Sequence, residues 1–99
     1  MKAVKADDIP SGTKKTVFVG GKKIAIANID GDYFAIDDTC SHAQCSLGSD
    51  GFLDGTVIIC GCHGAQFDVK SGKVLSLPAV VDVSSYETKI ENGEIFINL

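Results

Sequence analysis

Apolar and polar residues alternate with a period of two along much of the chain, as is typical of β-strands with one face toward a core. The alternation predicts six short strands, at 16–19, 22–28, 33–36, 80–83, 86–91 and 94–97. Three of the connections contain residue pairs favoured in two-residue hairpin turns, namely Gly20-Gly21, Asp30-Gly31 and Asn92-Gly93. No stretch shows a 3.6-residue period over a helical length. The pattern therefore predicts an all-β fold.

The middle of the chain, residues 38–71, differs from both ends because it holds all four cysteines and both histidines among several glycines. Such loops on a β scaffold are typical of a site built on a rigid frame. A chain of 99 residues has no room for a second core. We therefore expect one domain, residues 1–99, with a basal β part at about 1–37 and 72–99 and a site-bearing subdomain at about 38–71.

Composition and charge exclude several classes of function. The net charge is −4, so no nucleic-acid partner is expected, and the lysine pairs at 14–15 and 22–23 are assigned to solubility and to protection of exposed strand edges. No apolar run approaches the roughly 20 residues that a membrane helix needs. The first eight residues lack the apolar segment of a signal peptide. We expect a cytoplasmic protein that does not contact a membrane.

Two short boxes contain the candidate ligands, Cys40-Ser41-His42-Ala43-Gln44-Cys45 and Cys60-Gly61-Cys62-His63-Gly64. Two disulfides would leave the histidines unused. Zinc ligands in a pair usually have two or more residues between them, and the first box has one between Cys40 and His42. A plant-type iron–sulfur cluster needs C-x4-C-x2-C, but fourteen residues follow Cys45 before the next cysteine.

One Cys and one His from each box match the ligand set of a Rieske [2Fe–2S] cluster, in which one iron has two cysteines and the other has two histidines. The predicted ligands are Cys40, His42, Cys60 and His63. Each box then supplies one ligand to each iron, so both loops must be held together. The alternative of another class is a zinc-binding structural module, which metal analysis distinguishes.

Similarity beyond the boxes extends over nearly the whole chain, at Asp30–Ile36, His63–Gly72 and Leu77-Pro78-Ala79. The chain resembles the Rieske-type ferredoxins that serve ring-hydroxylating dioxygenases. The resemblance implies a Rieske fold, with antiparallel sheets and an inserted two-loop cluster-binding subdomain in which Pro78 shields the cluster. It also implies a one-electron carrier that is not itself an enzyme, and we expect a monomer because the interfaces used for such transfer are usually small and weak. Such a carrier docks transiently with a flavin-dependent reductase and a terminal oxygenase through the surface near His42 and His63.

Cys45 and Cys62 depart from that ferredoxin pattern. Ring-hydroxylase ferredoxins usually have other residues at both positions, whereas the Rieske subunits of cytochrome bc complexes have two cysteines there, joined in a disulfide. This second resemblance implies a Cys45–Cys62 bridge. The alternative is a pair of reduced thiols packed beside the cluster, since a free cysteine behaves as a small buried apolar residue.

Ala65 and Phe67 stand where the bc-type subunits have a Ser and a Tyr that donate hydrogen bonds to the cluster sulfurs. Such bonds stabilise the reduced cluster, so their loss predicts a potential near −150 mV, at the low end of the Rieske range that extends to about +300 mV. A high-potential, bc-like or stand-alone Rieske protein is the alternative. A Rieske-like subunit of an assimilatory nitrite reductase is a third. The aspartates Asp37, Asp38 and Asp68 are assigned to turns and solvation.

Overall fold

The computed structural model describes residues 1–40, 45–62, 64–76 and 81–98. Its strands are β1 Lys2–Lys5, β2 Lys14–Val19, β3 Lys22–Ile29, β4 Asp32–Asp37, β5 Phe52–Asp54, β6 Val57–Ile59, β7 Gln66–Asp68, β8 Val74–Ser76, β9 Ser85–Tyr86, β10 Thr88–Glu91 and β11 Glu94–Ile97. A 3-10 turn at Ala6–Asp8 and one helical turn, α1 at Leu47–Asp50, are the helical elements in these ranges. The predicted all-β class is confirmed.

The strands form three antiparallel sheets. The first has the order β1-β11-β10 and the second the order β2-β3-β4-β9. The third, β5-β6-β7-β8, lies in sequence between β4 and β9, so it is an insertion into the second sheet. Nearly all of the candidate site residues lie in the connections that lead into this inserted sheet or within it. Among the residues described, no helix has the length and apolar character that crossing a membrane would need.

The three predicted hairpins are confirmed by the strand pairing. β2 pairs with β3, β3 with β4, and β10 with β11. In the last of these turns Asn92 and Gly93 have φ of 52° and 75°. Left-handed conformations at both central residues are those of the type I′ turn, whose twist matches that of the flanking strands. Local turn chemistry therefore determines these connections.

Two predictions about strands near the C-terminal end are wrong. Residues 81–83 are not a strand, because the backbone N–H of Val83 donates to the carbonyl of Gly72 in a loop, at 2.9 Å, and not to a strand ladder. Val80 lies outside the described residues. The predicted strand at 86–91 divides at Glu87, where the chain leaves the second sheet as β9 and joins the first as β10.

Strand β3 is buried on both faces, and its two faces pack into different cores. Ile24 and Ile26 belong to a basal core with residues of β2 and β11, among them Val17, Val19, Ile95 and Ile97. Ala25 and Ala27 belong to a second core that lies toward the inserted sheet and contains Leu47, Ile58, Ala65, Phe67, Val69, Cys40 and Cys60. The large side chains of β3 thus face the basal core, and its small side chains face the second core, which lies toward the inserted sheet.

Candidate metal centre

Cys40 and Cys60, two of the four predicted ligands, are buried in the same core. Cys40 follows β4 and is 3% exposed, and Cys60 follows β6 and is 2% exposed. The other two predicted ligands, His42 and His63, lie outside the described residues, as does Pro78. One cysteine from each box therefore lies in the second core, which faces the inserted sheet.

The first box lies in a connection that we call the first loop, residues 38–48. Its two ends are joined by backbone hydrogen bonds: Cys40 N–H donates to the carbonyl of Cys45 at 3.0 Å, and Leu47 N–H donates to that of Asp38 at 2.7 Å. Thr39 and Ser46 form an isolated antiparallel bridge between these bonds. The pairing brings Cys40 and Cys45 close together although four residues separate them in sequence.

The side chain of Asp38 fixes the base of the first loop. It is fully buried, and its Oδ1 accepts hydrogen bonds from the Thr16 hydroxyl at 2.7 Å and from Gly48 N–H at 2.8 Å. The Thr16 hydroxyl also lies 3.0 Å from Ser46 Oγ. Within the described part of the chain, Oδ2 of Asp38 has no hydrogen-bond partner. The prediction that this aspartate is solvated is therefore wrong.

No local sequence signal could identify Asp38 as a structural carboxylate, because its partner Thr16 is 22 residues away in β2. Asp68, by contrast, serves a turn as predicted. Its Oδ1 accepts from Lys70 N–H at 3.1 Å and its Oδ2 from the Ser71 hydroxyl at 3.1 Å. The two aspartates differ in burial, which a single sequence does not reveal.

Lys14, assigned from the sequence to an exposed edge, is half-buried and contacts the first loop. Its Nζ donates to the carbonyl of Gly48 at 2.9 Å. Burial lowers the pKa of Lys14, and the negative charges of Asp38 and Asp50 act in the opposite direction. A lysine therefore lies beside the buried carboxylate of Asp38 and partly balances its charge.

The second box lies in a tighter connection that we call the second loop, residues 60–65. Cys60 N–H donates to the carbonyl of Ala65 at 2.7 Å, and Gly64 N–H donates to that of Cys60 at 3.0 Å. Gly61 is pressed against the backbone, so that a Cβ added there would overlap the carbonyl oxygen of Asp50. A backbone oxygen cannot rotate out of the way, so the position requires glycine.

A disulfide joins Cys45 of the first loop to Cys62 of the second, with their Cα atoms 6.5 Å apart. Cys62 is exposed and Cys45 is half-buried. The sulfur of Cys60 lies close to this bond, because the Sγ atoms of Cys45, Cys60 and Cys62 are all within 4.8 Å of one another. The two loops are therefore covalently connected beside one of the predicted ligands.

Ala65 and Phe67 are both fully buried in the core beneath the second loop. Phe67 lies in β7 opposite Ile58 of β6, and its ring packs in the same core as Ala65. Neither side chain has a hydrogen-bond donor. The side chains beneath the second loop are therefore apolar at both positions.

The metal-ligand atoms of the described residues in this region are cysteine sulfurs, which are soft ligands. Thiolate sulfur prefers iron–sulfur clusters, zinc or copper(I) over hard cations such as calcium and magnesium. Cys45 and Cys62, joined to each other, offer no thiolate while the bond is intact. The thiols of Cys40 and Cys60 remain as sulfur donors, and two cysteine ligands are the number that one iron of a mixed Cys/His [2Fe–2S] cluster takes.

Comparison with known proteins agrees with this geometry. Residues 1–87 match the family model described as the Rieske [2Fe-2S] domain. The chain is 41% identical over 93 residues to the ferredoxin component of naphthalene 1,2-dioxygenase/salicylate 5-hydroxylase systems of Ralstonia sp., covering 94% of this chain and 88% of that protein. It is 37% identical over 97 residues to the biphenyl dioxygenase ferredoxin subunit of Pseudomonas sp. strain KKS102, covering 98% and 89%.

A similar structure has also been solved in a complex. A chain from the complex of reduced oxygenase and oxidized ferredoxin in carbazole 1,9a-dioxygenase superimposes with a TM-score of 0.90 at 34% identity. The superposition covers 99% of this chain and 100% of that one. Sequence and fold therefore agree over essentially the full length of the chain.

Proposed function

The chain belongs to the Rieske [2Fe-2S] domain family, and we propose that it is a one-electron carrier that supplies reducing equivalents to a terminal oxygenase. Members of this family hold one [2Fe–2S] cluster, which stores and releases a single electron. The protein is an electron-transfer component and not a catalyst in its own right. The observation that supports this most directly is the burial of Cys40 and Cys60, one from each loop, in one core.

The proposed ligands are Cys40 and Cys60 on one iron and His42 and His63 on the other. The spacing of the two boxes and the burial of both thiols support this assignment. The roles of the protein are to hold the four donors, to keep water from the sulfur ligands, and to join the two loops. In the same proposal Pro78 shields the cluster from solvent, which influences its potential.

We propose a flavin-dependent reductase as the electron donor and a ring-hydroxylating oxygenase as the acceptor. The relatives named above are ferredoxin components of dioxygenase systems, and one solved relative is in complex with an oxygenase. Residues 38–71 contain four acidic residues and a single lysine, which favours a basic docking surface on each partner. Electron-transfer complexes are usually small and short-lived, so the carrier acts as a monomer, in the cytoplasm.

The cluster is proposed to have a low potential. The side chains of Ala65 and Phe67 cannot donate hydrogen bonds to cluster sulfurs, so the reduced cluster loses that stabilisation. The second candidate is a high-potential, bc-like Rieske protein, which the Cys45–Cys62 bond favours. The two candidates make opposite predictions about the potential and can be separated by one measurement.

Potentiometry with electron paramagnetic resonance (EPR) on the purified, cluster-loaded protein tests the proposed ligand set and the proposed potential. We expect the spectrum of a two-Cys, two-His [2Fe–2S] centre and a midpoint of about −150 mV. A colourless protein with one bound zinc would contradict the electron-carrier function, and a midpoint above about +100 mV would support the high-potential candidate. The Ala65→Ser variant is the matched control, because it restores one hydroxyl donor with little change in volume and is expected to raise the midpoint.

A further inference from the structure

Three sulfur atoms lie together where the two loops meet. The Cys45–Cys62 disulfide provides two, and the thiol of Cys60 provides the third, with all three within 4.8 Å of one another. A thiol this close to a disulfide is a potential nucleophile for thiol–disulfide exchange, which proceeds by attack of a thiolate on one of the two bonded sulfurs. The role proposed for Cys60 as an iron ligand does not use this proximity.

We propose that Cys60 exchanges with the neighbouring disulfide whenever it does not bind iron, and that the product is a Cys45–Cys60 bond. In this step the Cys60 thiolate bonds to Sγ of Cys45, the Cys45–Cys62 bond breaks, and Cys62 leaves as a thiolate that takes up the proton lost by Cys60. One disulfide and one thiol are present before and after the step, so no oxidant or reductant is consumed.

The exposure of the cysteines determines which sulfur leaves. Cys62 is exposed, whereas Cys45 is half-buried. A departing thiolate is better stabilised in water than in an apolar environment, so attack at Cys45 with release of Cys62 is favoured. Attack at Cys62 would instead join Cys60 to Cys62 across a single residue, Gly61, which lies against the carbonyl of Asp50. That small ring is disfavoured.

The exchange has a consequence for the order of assembly. The Cys45–Cys60 bond consumes a proposed ligand, so a chain that has rearranged cannot take up a cluster until Cys60 is released, either by the reverse attack of the Cys62 thiolate on Cys45 or by a thiol reductant. A Cys60 sulfur that is bonded to iron cannot attack. We infer that cluster insertion competes with this rearrangement, and that cluster loss in the absence of a thiol reductant converts the protein to a disulfide isomer that lacks one ligand. This inference rests on the proposed function, in which Cys60 is a cluster ligand.

Mapping of disulfides in the full chain tests the inference. Cluster-loaded protein is compared with protein from which iron has been removed by a chelator under inert gas, then aged without reductant. Free thiols are alkylated, and the unreduced protein is digested and analysed by mass spectrometry. We expect the loaded protein to contain only Cys45–Cys62, and the aged protein to contain Cys45–Cys60 with alkylation of Cys62 increased at least about tenfold. Cluster reconstitution of the aged protein should be slower without a thiol reductant than with one.

The double variant Cys45→Ser, Cys62→Ser is the matched control, because it keeps Cys60 but has no disulfide to attack. Its ability to reconstitute should not decline with ageing. Retention of Cys45–Cys62 in the aged wild-type protein, or alkylation of both cysteines in the loaded protein, would overturn the inference. So would a Cys60–Cys62 bond, or cross-links to Cys40, since those indicate random pairing in an unfolded chain. Failure of the proposed function would be distinguishable from failure of this inference, because freshly reconstituted protein would then lack the iron–sulfur spectrum before any ageing.

Discussion

The two loops that hold the proposed ligands are stabilised by different kinds of contact. The first loop has backbone hydrogen bonds between its ends and depends in addition on side chains, since the carboxylate of Asp38 accepts hydrogen bonds from Thr16 in β2 and from the backbone of Gly48. The second loop depends on its own backbone, through the bonds between Cys60 and Ala65 and the close approach of Gly61 to Asp50. The first should therefore be sensitive to loss of polar atoms, and the second to added volume.

The largest expected effect is that of added volume in the second loop. Gly61→Ala places a methyl group against the Asp50 carbonyl and should lower the free energy of unfolding by about 3 kcal/mol. Iron content per chain should fall together with stability, measured by denaturant unfolding. Gly64→Ala is the matched control in the same loop, because its Cβ would meet open space. It should cost only about 1 kcal/mol, the strain of a φ of 78°. Equal costs for the two variants would contradict the steric explanation.

The first loop should respond to the loss of a polar group. Asp38→Ala leaves the buried N–H of Gly48 and the Thr16 hydroxyl without their acceptor, and should lower the free energy of unfolding by about 2 kcal/mol. Asp38→Asn keeps a side-chain oxygen in place and should recover about half of that loss. Cluster content and the EPR spectrum of both variants report on the loop itself. If alanine and asparagine behave alike, the hydrogen bonds of Asp38 do not hold the first loop.

The smallest effect is confined to alkaline pH. The Tyr86 hydroxyl donates to Oδ1 of Asp37 at 2.6 Å, beside the start of the first loop. Burial, and then the hydrogen bond to Asp37, raise the pKa of Tyr86 to about 12, from 10.0. Between these values the unfolded chain has lost the proton and the folded chain keeps it, so stability is unaffected below pH 10 and decreases as the pH rises toward 12.

Denaturant midpoints measured from pH 8 to pH 12 check this expectation. Tyr86→Phe removes the titrating group. The denaturant midpoint of the variant should therefore fall less steeply with rising pH, by the part that Tyr86 contributes. An identical slope in wild type and variant would show that the contact between Tyr86 and Asp37 does not contribute to alkaline stability. The comparison tests whether side-chain contacts next to the first loop, at Asp37, extend to β9, where Tyr86 lies.

Features determined by neighbouring residues could be predicted from the sequence. The hairpins at Gly20-Gly21 and Asn92-Gly93 depend on two residues each, and the all-β class depends on alternation within single strands. The strands of the inserted sheet have only three residues each, which is too short for alternation to be recognised. The division at Glu87 was also missed, because alternation does not reveal which sheet a strand joins.

The same limit applies to the candidate site. The spacing of the two boxes is a local property, and it predicted Cys40 and Cys60, which the structure buries together. The role of Asp38 depends on Thr16, and that of Gly61 depends on the carbonyl of Asp50. Both are contacts between segments that are distant in sequence, formed only once the sheets have packed. One sequence contains no measure of those distances.

The pairing of β1 with β11 has a consequence for biosynthesis. Lys5 lies opposite Glu94, and the Met1 amino group donates to the carbonyl of Ile97 at 2.7 Å, so the first strand completes its sheet with the last. On the ribosome the β2–β3–β4 meander can form as soon as it emerges, while β1 must wait until β11 has been synthesised. Such distant pairing is slow because it closes a long loop. The nascent chain therefore holds β1 without its strand partner while the β2–β3–β4 meander forms.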